Sequence, residues 1–335
     1  FKPRMTRIQA VAWLDRHKAQ QGLYEAITEY VRHGYTQAMA SKQRHIGFLM
    51  ILMQRLVTSS TAAIRATLEK RLLALDDDQR QLQLFSTEGV GDWHELTGDD
   101  QIDIAVAFDA LDDERKDVEA LLFLARETEA QGTDAKAEAL LEQIYKIQQE
   151  ENDPELKVLV FTEFVPTQAM LAEFLESRGF SVATLNGSMD LEARGRAQRA
   201  FSKDVRILIS TDAGGEGLNL QFCHVIINFD MPWNPMRVEQ RIGRVDRIGQ
   251  PHIVRAINFV LEDTVEHRVR EVLETKLAVI AEEFGVDKVA DVMDSVEAEP
   301  LFDELFVQGI QDPASIETEC DAVLTQLRSS LAENR

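Results

Sequence analysis

The chain has 335 residues, 44% of them hydrophobic, with 58 acidic against 36 basic side chains and a formal charge of −22. That length and apolar content exclude a mainly disordered chain and favour two domains over one. No apolar run approaches the roughly 18 residues needed to span a bilayer, which excludes a spanning helix and a membrane partner of that kind.

The chain opens Phe1-Lys2-Pro3-Arg4, with neither an initiator Met nor a signal-peptide core, and reads as a piece of a longer polypeptide. Apolar positions at helical spacing run through 20–56, with Leu23, Ile27, Tyr30 and Val31, then Ile46, Leu49, Leu52, Met53 and Leu56. Ser59-Ser60-Thr61 stops this pattern and can cap a further helix through Ile64, Leu68, Leu72 and Leu75. Residues 76–103, acidic and holding Gly89, Gly91 and Gly98, read as an irregular insertion. Helices are expected over 113–129 and 134–149, the second capped by Thr133 or Asp134.

After Pro154 short apolar runs alternate with helical patterns. The runs cover 157–161, 181–185, 205–209, 225–229 and 253–257, with helices expected over 166–178, 190–202 and 235–246. Near-continuous apolar strands separated by amphipathic helices predict a doubly wound parallel sheet, because right-handed crossovers place helices on both faces. The expected division is a helical region over 1–153, an α/β domain over 154–276 and a helical acidic extension over 277–335, with helices at 264–284 and 315–332. Charge follows that division: 65–155 carries about −16 and 277–335 about −11, whereas 186–255 is about +2. The acidic flanks read as solvated helix faces with no assigned chemistry.

In such sheets ligands lie beyond the carboxyl ends of the strands. After the third run comes Ser210-Thr211-Asp212-Ala213-Gly214-Gly215-Glu216-Gly217-Leu218-Asn219-Leu220-Gln221. Its glycines permit close approach of a phosphate or ribose, and Thr211 offers a hydroxyl; a tight strand-to-helix turn explains the same glycines. On a helix over 235–246, Gln240, Arg244 and Arg247 fall at i, i+4 and i+7 on one face, with Arg241 beside them. Two guanidinium groups so placed suit a transferring phosphoryl group. The spacing equally suits a solvated basic stripe, or arginines paired with Asp246, Asp230 and Glu239.

The run 157–164, then Leu185-Asn186-Gly187-Ser188 with Arg194, then 210–221, then 239–250, resembles in order the motifs of the second RecA-like domain of superfamily-2 helicase-type ATPases. Pro232-Trp233-Asn234-Pro235 followed by the 239–250 segment resembles the Swi/Snf family, in particular its bacterial RapA-like branch. The resemblance implies that Arg244 and Arg247 act as arginine fingers on ATP, with Mg2+, held by an upstream RecA-like domain, and that Gln240 couples the nucleotide to the motor. It implies that Gly215, Glu216, Gly217 and Asn219 approach the nucleotide. It also implies that Thr162, Thr167, Gly187, Arg194 and Thr211 contact a nucleic-acid backbone, double-stranded DNA or RNA, without reading bases.

No G-x-x-x-x-G-K-[ST] loop occurs, and the acidic pair Asp113-Glu114 follows no buried strand. The resemblance places both missing motifs in the upstream domain, so the chain is expected to be the C-terminal half of a translocase or remodeller and inactive as an ATPase alone. The competing expectation is a non-catalytic interaction module, whose acidic helices recruit a protein partner on a RecA-like scaffold.

Overall fold

The computed structural model describes residues 4–40, 44–76, 97–106, 114–215, 220–247, 249–284 and 298–333. Six parallel strands, β1 (Met5–Val11), β2 (Val158–Phe161), β3 (Val182–Leu185), β4 (Ile207–Ser210), β5 (Val225–Asn228) and β6 (Arg255–Leu261), lie in the order β1-β6-β5-β2-β4-β3. Phe161 is in register with Ser210 on one side and Asn228 on the other. The residues that follow β2, β4 and β5 therefore emerge level with one another, at one rim.

Alternation along each strand divides the sheet's side chains between two cores. Val158, Val160, Ile207 and Ile209 face α6 (Ala135–Glu151) and α7 (Val165–Glu176), meeting Leu140, Ile144, Leu171 and Leu175. Leu159, Phe161, Leu208 and Ile226 face the other way, against Phe201 of α8 (Leu191–Lys203) and Val238 and Ile242 of α10 (Pro235–Ile242). The short α9 (Asp212–Gly215) follows β4. Burial on both faces explains why β2, β4 and β5 are apolar up to Ser210 and Asn228 at the rim.

The expected doubly wound sheet is present, with a sixth strand added. Met5–Val11 pairs with β6 from Met5↔Arg255 to Val11↔Leu261, so the region 1–153 is not helical throughout. Its helices are α1 (Lys18–Ala40), α2 (Arg44–Ser59), α3 (Thr61–Asp76), α4 (Gly98–Ala105) and α5 (Glu114–Gln131), followed by α6. Leu23, Ile27, Leu49, Leu56, Ile64, Leu68, Val118 and Leu122 form their shared core. Ser60 Oγ accepts the Ala63 N–H at the head of α3, and Asp134 accepts those of Lys136 and Ala137 at the head of α6.

Glu114 is an internal ion-pair partner: both its oxygens accept from Arg71 at 2.7 and 2.8 Å, and Tyr30 adds a third bond. Asp113 lies outside the described residues, as do 77–96 of the acidic insertion. The end of that insertion is ordered rather than irregular, because Thr97 caps α4 and Gln101, Ile102 and Ala105 are buried.

The C-terminal helices are α11 (Val265–Phe284), α12 (Ala298–Gln311) and α13 (Ile316–Glu333). α12 has no counterpart among the sequence expectations. Its Phe302 and Phe306 pack with Val269, Ile316 and Cys320 onto Ile51 and Trp233. No described helix is long and apolar enough to cross a membrane, and Cys223 and Cys320 are buried.

Candidate functional site

At the level rim, Asp230 organises the residues that follow β2 and β5. One carboxylate oxygen accepts from Lys136 Nζ at 2.8 Å; the other accepts from Thr162 Oγ1 at 2.5 Å, Ser59 Oγ at 2.8 Å and the Glu163 N–H at 3.0 Å. Burial opposes this charge, yet Lys136 and these donors hold the carboxyl below its ordinary value. Thr167 Oγ1 lies 2.7 Å from both Ser59 Oγ and Ser60 Oγ. Thr162 and Thr167 are both fully buried. Both hydroxyls, expected at a nucleic-acid strand, are used inside the fold: that of Thr162 bonds Asp230 beyond β5, and that of Thr167 joins α7 to Ser59 and Ser60 between α2 and α3.

The glycine-rich segment also turns inward at its start. A Cβ on Gly214 would lie 2.5 Å from the carbonyl of Leu185, and one on Gly215 would lie 2.9 Å from the Phe161 ring. These two glycines let α9 press against the end of β3 and the core. That contact, rather than a ribose, occupies the space a side chain at Gly215 would need. Thr211, 4% exposed, accepts the Gly214 N–H through its hydroxyl and caps α9 from within, so it too offers no open strand-facing hydroxyl. Glu216, Gly217 and Asn219 lie outside the described residues.

Asn234 caps α10 by accepting the Met236 N–H at 2.9 Å, Pro235 takes the first helical position, and Trp233 stacks on Phe306 with centroids 4.5 Å apart. The helix then ends at Ile242, four residues short of the expected 246. Gly243 forms the cap, the Arg244 and Val245 N–H groups bond back to Arg241 and Ile242, and the Arg244 carbonyl accepts from the Leu220 N–H at 3.2 Å. That crossing contact holds the chain in a turn. Gln240, Arg244 and Arg247 therefore do not share one helical face.

Each of those residues, and Arg241, has its own setting. Gln240 is exposed on α10; Arg247 is exposed beyond the turn, with Nε donating to the Gly243 carbonyl. Arg244 is half-buried and makes no side-chain hydrogen bond or ion pair among the described residues. Asp230 and Glu239 have other partners, the latter a bidentate bond from Arg4 at 2.7 Å. Arg241 is the internal one: 2% exposed, it grips both oxygens of Asp212 at 2.6 and 2.7 Å and the Asp230 carbonyl at 2.5 Å. Burial works against its charge, and Asp212 outweighs that effect, holding the guanidinium above its ordinary value.

Gln250 completes the arrangement, its Nε2 donating to the carbonyls of Gln221, Cys223 and Val245. Asp212 thus ties the start of the glycine-rich segment to α10, while Leu220, Gln221 and Cys223 tie its end to the following turn. The sequence motifs contain Asp212, Gln250 and Arg241, but nothing in their spacing marks them as the fasteners. Asp230 had one usable signal, a carboxylate placed directly after a buried strand.

On the outer edge the structure does bring Gly187 and Arg194 together. Arg194 donates to the carbonyls of Met189 and Gly187, each at 3.1 Å, shaping an exposed turn. A Cβ on Gly187 would lie 3.1 Å from that of Ala213, so this turn adjoins α9. Gln168 fixes the floor by donating to the carbonyls of Leu185 and Ile209.

Residues 135–249 match the helicase conserved C-terminal domain, which the chain accordingly carries over the sheet and rim just described. It is similar to an uncharacterized ATP-dependent helicase, YqhH, of Bacillus subtilis, at 36% identity over 164 residues, 48% of this chain and 29% of that protein. It is similar also to CHROMATIN REMODELING 5 of Arabidopsis thaliana, at 38% over 125 residues, 36% of this chain and 7% of that protein. A human SWI/SNF-related matrix-associated actin-dependent regulator of chromatin, subfamily A member 1, matches at 35% over 125 residues, 36% of this chain and 12% of that protein. The matches span less than a third of each of these relatives. Among solved structures it shares its fold with the C-terminal part of the Fun30 ATPase domain, with TM-score 0.54 and 17% identity over 94% of this chain and 98% of that one. It shares it too with the Pyrococcus furiosus Hef helicase domain, with TM-score 0.50 and 15% identity over 81% and 58%.

Proposed function

We propose that this chain is the second motor lobe of an ATP-dependent translocase that remodels complexes on double-stranded DNA or RNA, of the RapA-like branch, acting in the cytoplasm. The observation that carries the reading is the contrast among its arginines. Arg241 is consumed by internal contacts, whereas Arg244 stands uncommitted on a turn pinned by Leu220 and Gln250 beside the glycine-rich segment. A guanidinium held in place without a partner suits the charge that develops on a phosphoryl group.

ATP with Mg2+, when bound by the upstream lobe, supplies the phosphoanhydride. This chain's part is to present Arg244 and Arg247, to relay closure through Gln240 and α10, and to bring Glu216, Gly217 and Asn219 toward the ribose. The exposed turn of Gly187 and Arg194 is the nucleic-acid contact that remains after Thr162, Thr167 and Thr211 are withdrawn into the fold. It suits backbone binding, since it offers a glycine and a guanidinium rather than base-reading amides. In this reading the helices α1 to α5 bridge the lobes.

In the protein joined to its upstream lobe, Arg244→Ala and Arg247→Ala are expected to lower nucleic-acid-stimulated kcat by about three to five orders of magnitude. An unchanged kcat with an altered KM would refute the finger role. Mixing this chain with the separately purified upstream lobe should restore ATPase activity that neither shows alone; no restoration would favour an interaction module.

A further inference from the structure

α8 begins at the Gly187–Arg194 turn, packs on the edge strand β3 and turns Phe201 into the core. On a helix of about 100° per residue, Glu192, Arg196, Arg199 and Lys203 fall within roughly 60° of arc on the side away from Phe201, and all four are exposed. Three cations stand there against one carboxylate, in a chain of formal charge −22.

Glu192 is spent on Arg196. The carboxylates at the two ends of α8 lie off this stripe: Asp190 accepts the Ala193 N–H at 2.7 Å, and Asp204 falls about 100° round from Lys203. Arg199 and Lys203 make no side-chain hydrogen bond or ion pair among the described residues. Arg199 is nonetheless placed. A Cβ on Gly195 would lie 3.2 Å from its Nη1, so the bare backbone of a residue that weakens a helix interior gives the guanidinium room to lie back along α8, toward the Gly187–Arg194 turn.

We propose that this stripe carries a nucleic-acid backbone onward from the Gly187–Arg194 turn, with Arg199 and Lys203 each meeting one phosphate. Lys203 follows Arg199 by about 6 Å along the helix axis, so the two charges are offered in series rather than at one point. The stripe's arc holds no apolar side chain, whereas a protein interface needs an apolar centre and is poor in lysine. A phosphodiester strand needs only the charges, and it is read here without regard to base. The proposal rests on the motor reading and extends its nucleic-acid contact from one turn to the length of a helix.

The test is the salt dependence of binding, in the protein joined to its upstream lobe, to a fluorescent DNA duplex and to a fluorescent RNA duplex, followed by anisotropy. Arg199→Gln and Lys203→Gln should each lower the slope of log affinity against log salt by about 1, and the double variant by about 2. Arg199→Lys, which keeps the charge, should keep the slope. Lys146→Gln removes an equal charge from an exposed position on α6, across the sheet, and should leave the slope unchanged; an equal fall there reduces the effect to net charge and overturns the proposal. A fall confined to one duplex supports the stripe and identifies the track. Both side chains are exposed and break no internal bond, so the variants should melt with the wild type and lost binding is not lost folding. If the wild type binds and both single variants keep its slope on both duplexes, the proposal fails while the motor reading stands; if the wild type binds neither duplex, both fail.

Discussion

Replacing Arg241 by Met tests whether α10 and the turn that carries Arg244 are held by one internal guanidinium. The variant keeps most of the volume and loses two bonds to Asp212, one to the Asp230 carbonyl and a longer one to Asn228 Oδ1. Removing one partner of a fully buried pair costs about 3–5 kcal/mol. Asp212, whose side chain is 36% exposed, can recover water, so the expected loss is smaller, about 2–3 kcal/mol. For a chain of this length that corresponds to a fall in melting temperature of about 3–4 °C. Urea denaturation measures the loss directly, and Arg244→Met, which breaks no internal bond, should lie within about 0.5 kcal/mol of wild type. A double-mutant cycle with Asp212→Asn should show coupling of about 1–2 kcal/mol. The account fails if Arg241→Met is as stable as wild type, if Arg244→Met costs as much, or if the cycle shows no coupling.

Gly214→Ala would place a methyl 2.5 Å from the Leu185 carbonyl, where only backbone can yield; a loss of about 1–3 kcal/mol is expected in the same urea assay. Asp230 titrates below its ordinary value in the native state, so its stabilisation is complete above about pH 4 and is lost as pH falls through the lower native value. Stability measured from pH 6 down to 2.5 should therefore fall more steeply for wild type than for Asp230→Asn. The Cys223 thiol, pushed up to about 12 by burial, should resist alkylation at pH 8 in the native protein and react once urea is added, with mass spectrometry as the readout.

The sheet was legible because its central strands are buried on both faces, so apolarity alone marks β2, β4 and β5. β1 escaped notice because it lies at an edge: Met5, Thr6 and Arg7 are exposed, and its Met-Thr-Arg-Ile-Gln-Ala-Val pattern is mixed. The helix expected over 235–246 was read too long, since helical spacing continues through Arg244 and Arg247 while a tertiary bond, Leu220 to Arg244, holds the chain in a turn. Glycine density marked the segment as a place of close approach, and at Gly214 and Gly215 the approaching group is the protein's own backbone and core. For Thr162 and Thr167 sequence cannot tell a hydroxyl facing solvent from one facing a buried carboxylate, as at Thr162, or buried serines, as at Thr167.

The edge pairing also sets a schedule for biosynthesis. Met5 pairs with Arg255, 250 positions later, so β1 must await β6, the last of these six strands, before its hydrogen bonds can close. At about 5–20 residues per second the ribosome takes roughly 10–50 s to deliver that partner. Throughout that interval a nascent segment with open backbone donors and acceptors is exposed to other chains. Mutations that slow elongation between the two strands should accordingly raise the yield of insoluble protein without altering the finished fold.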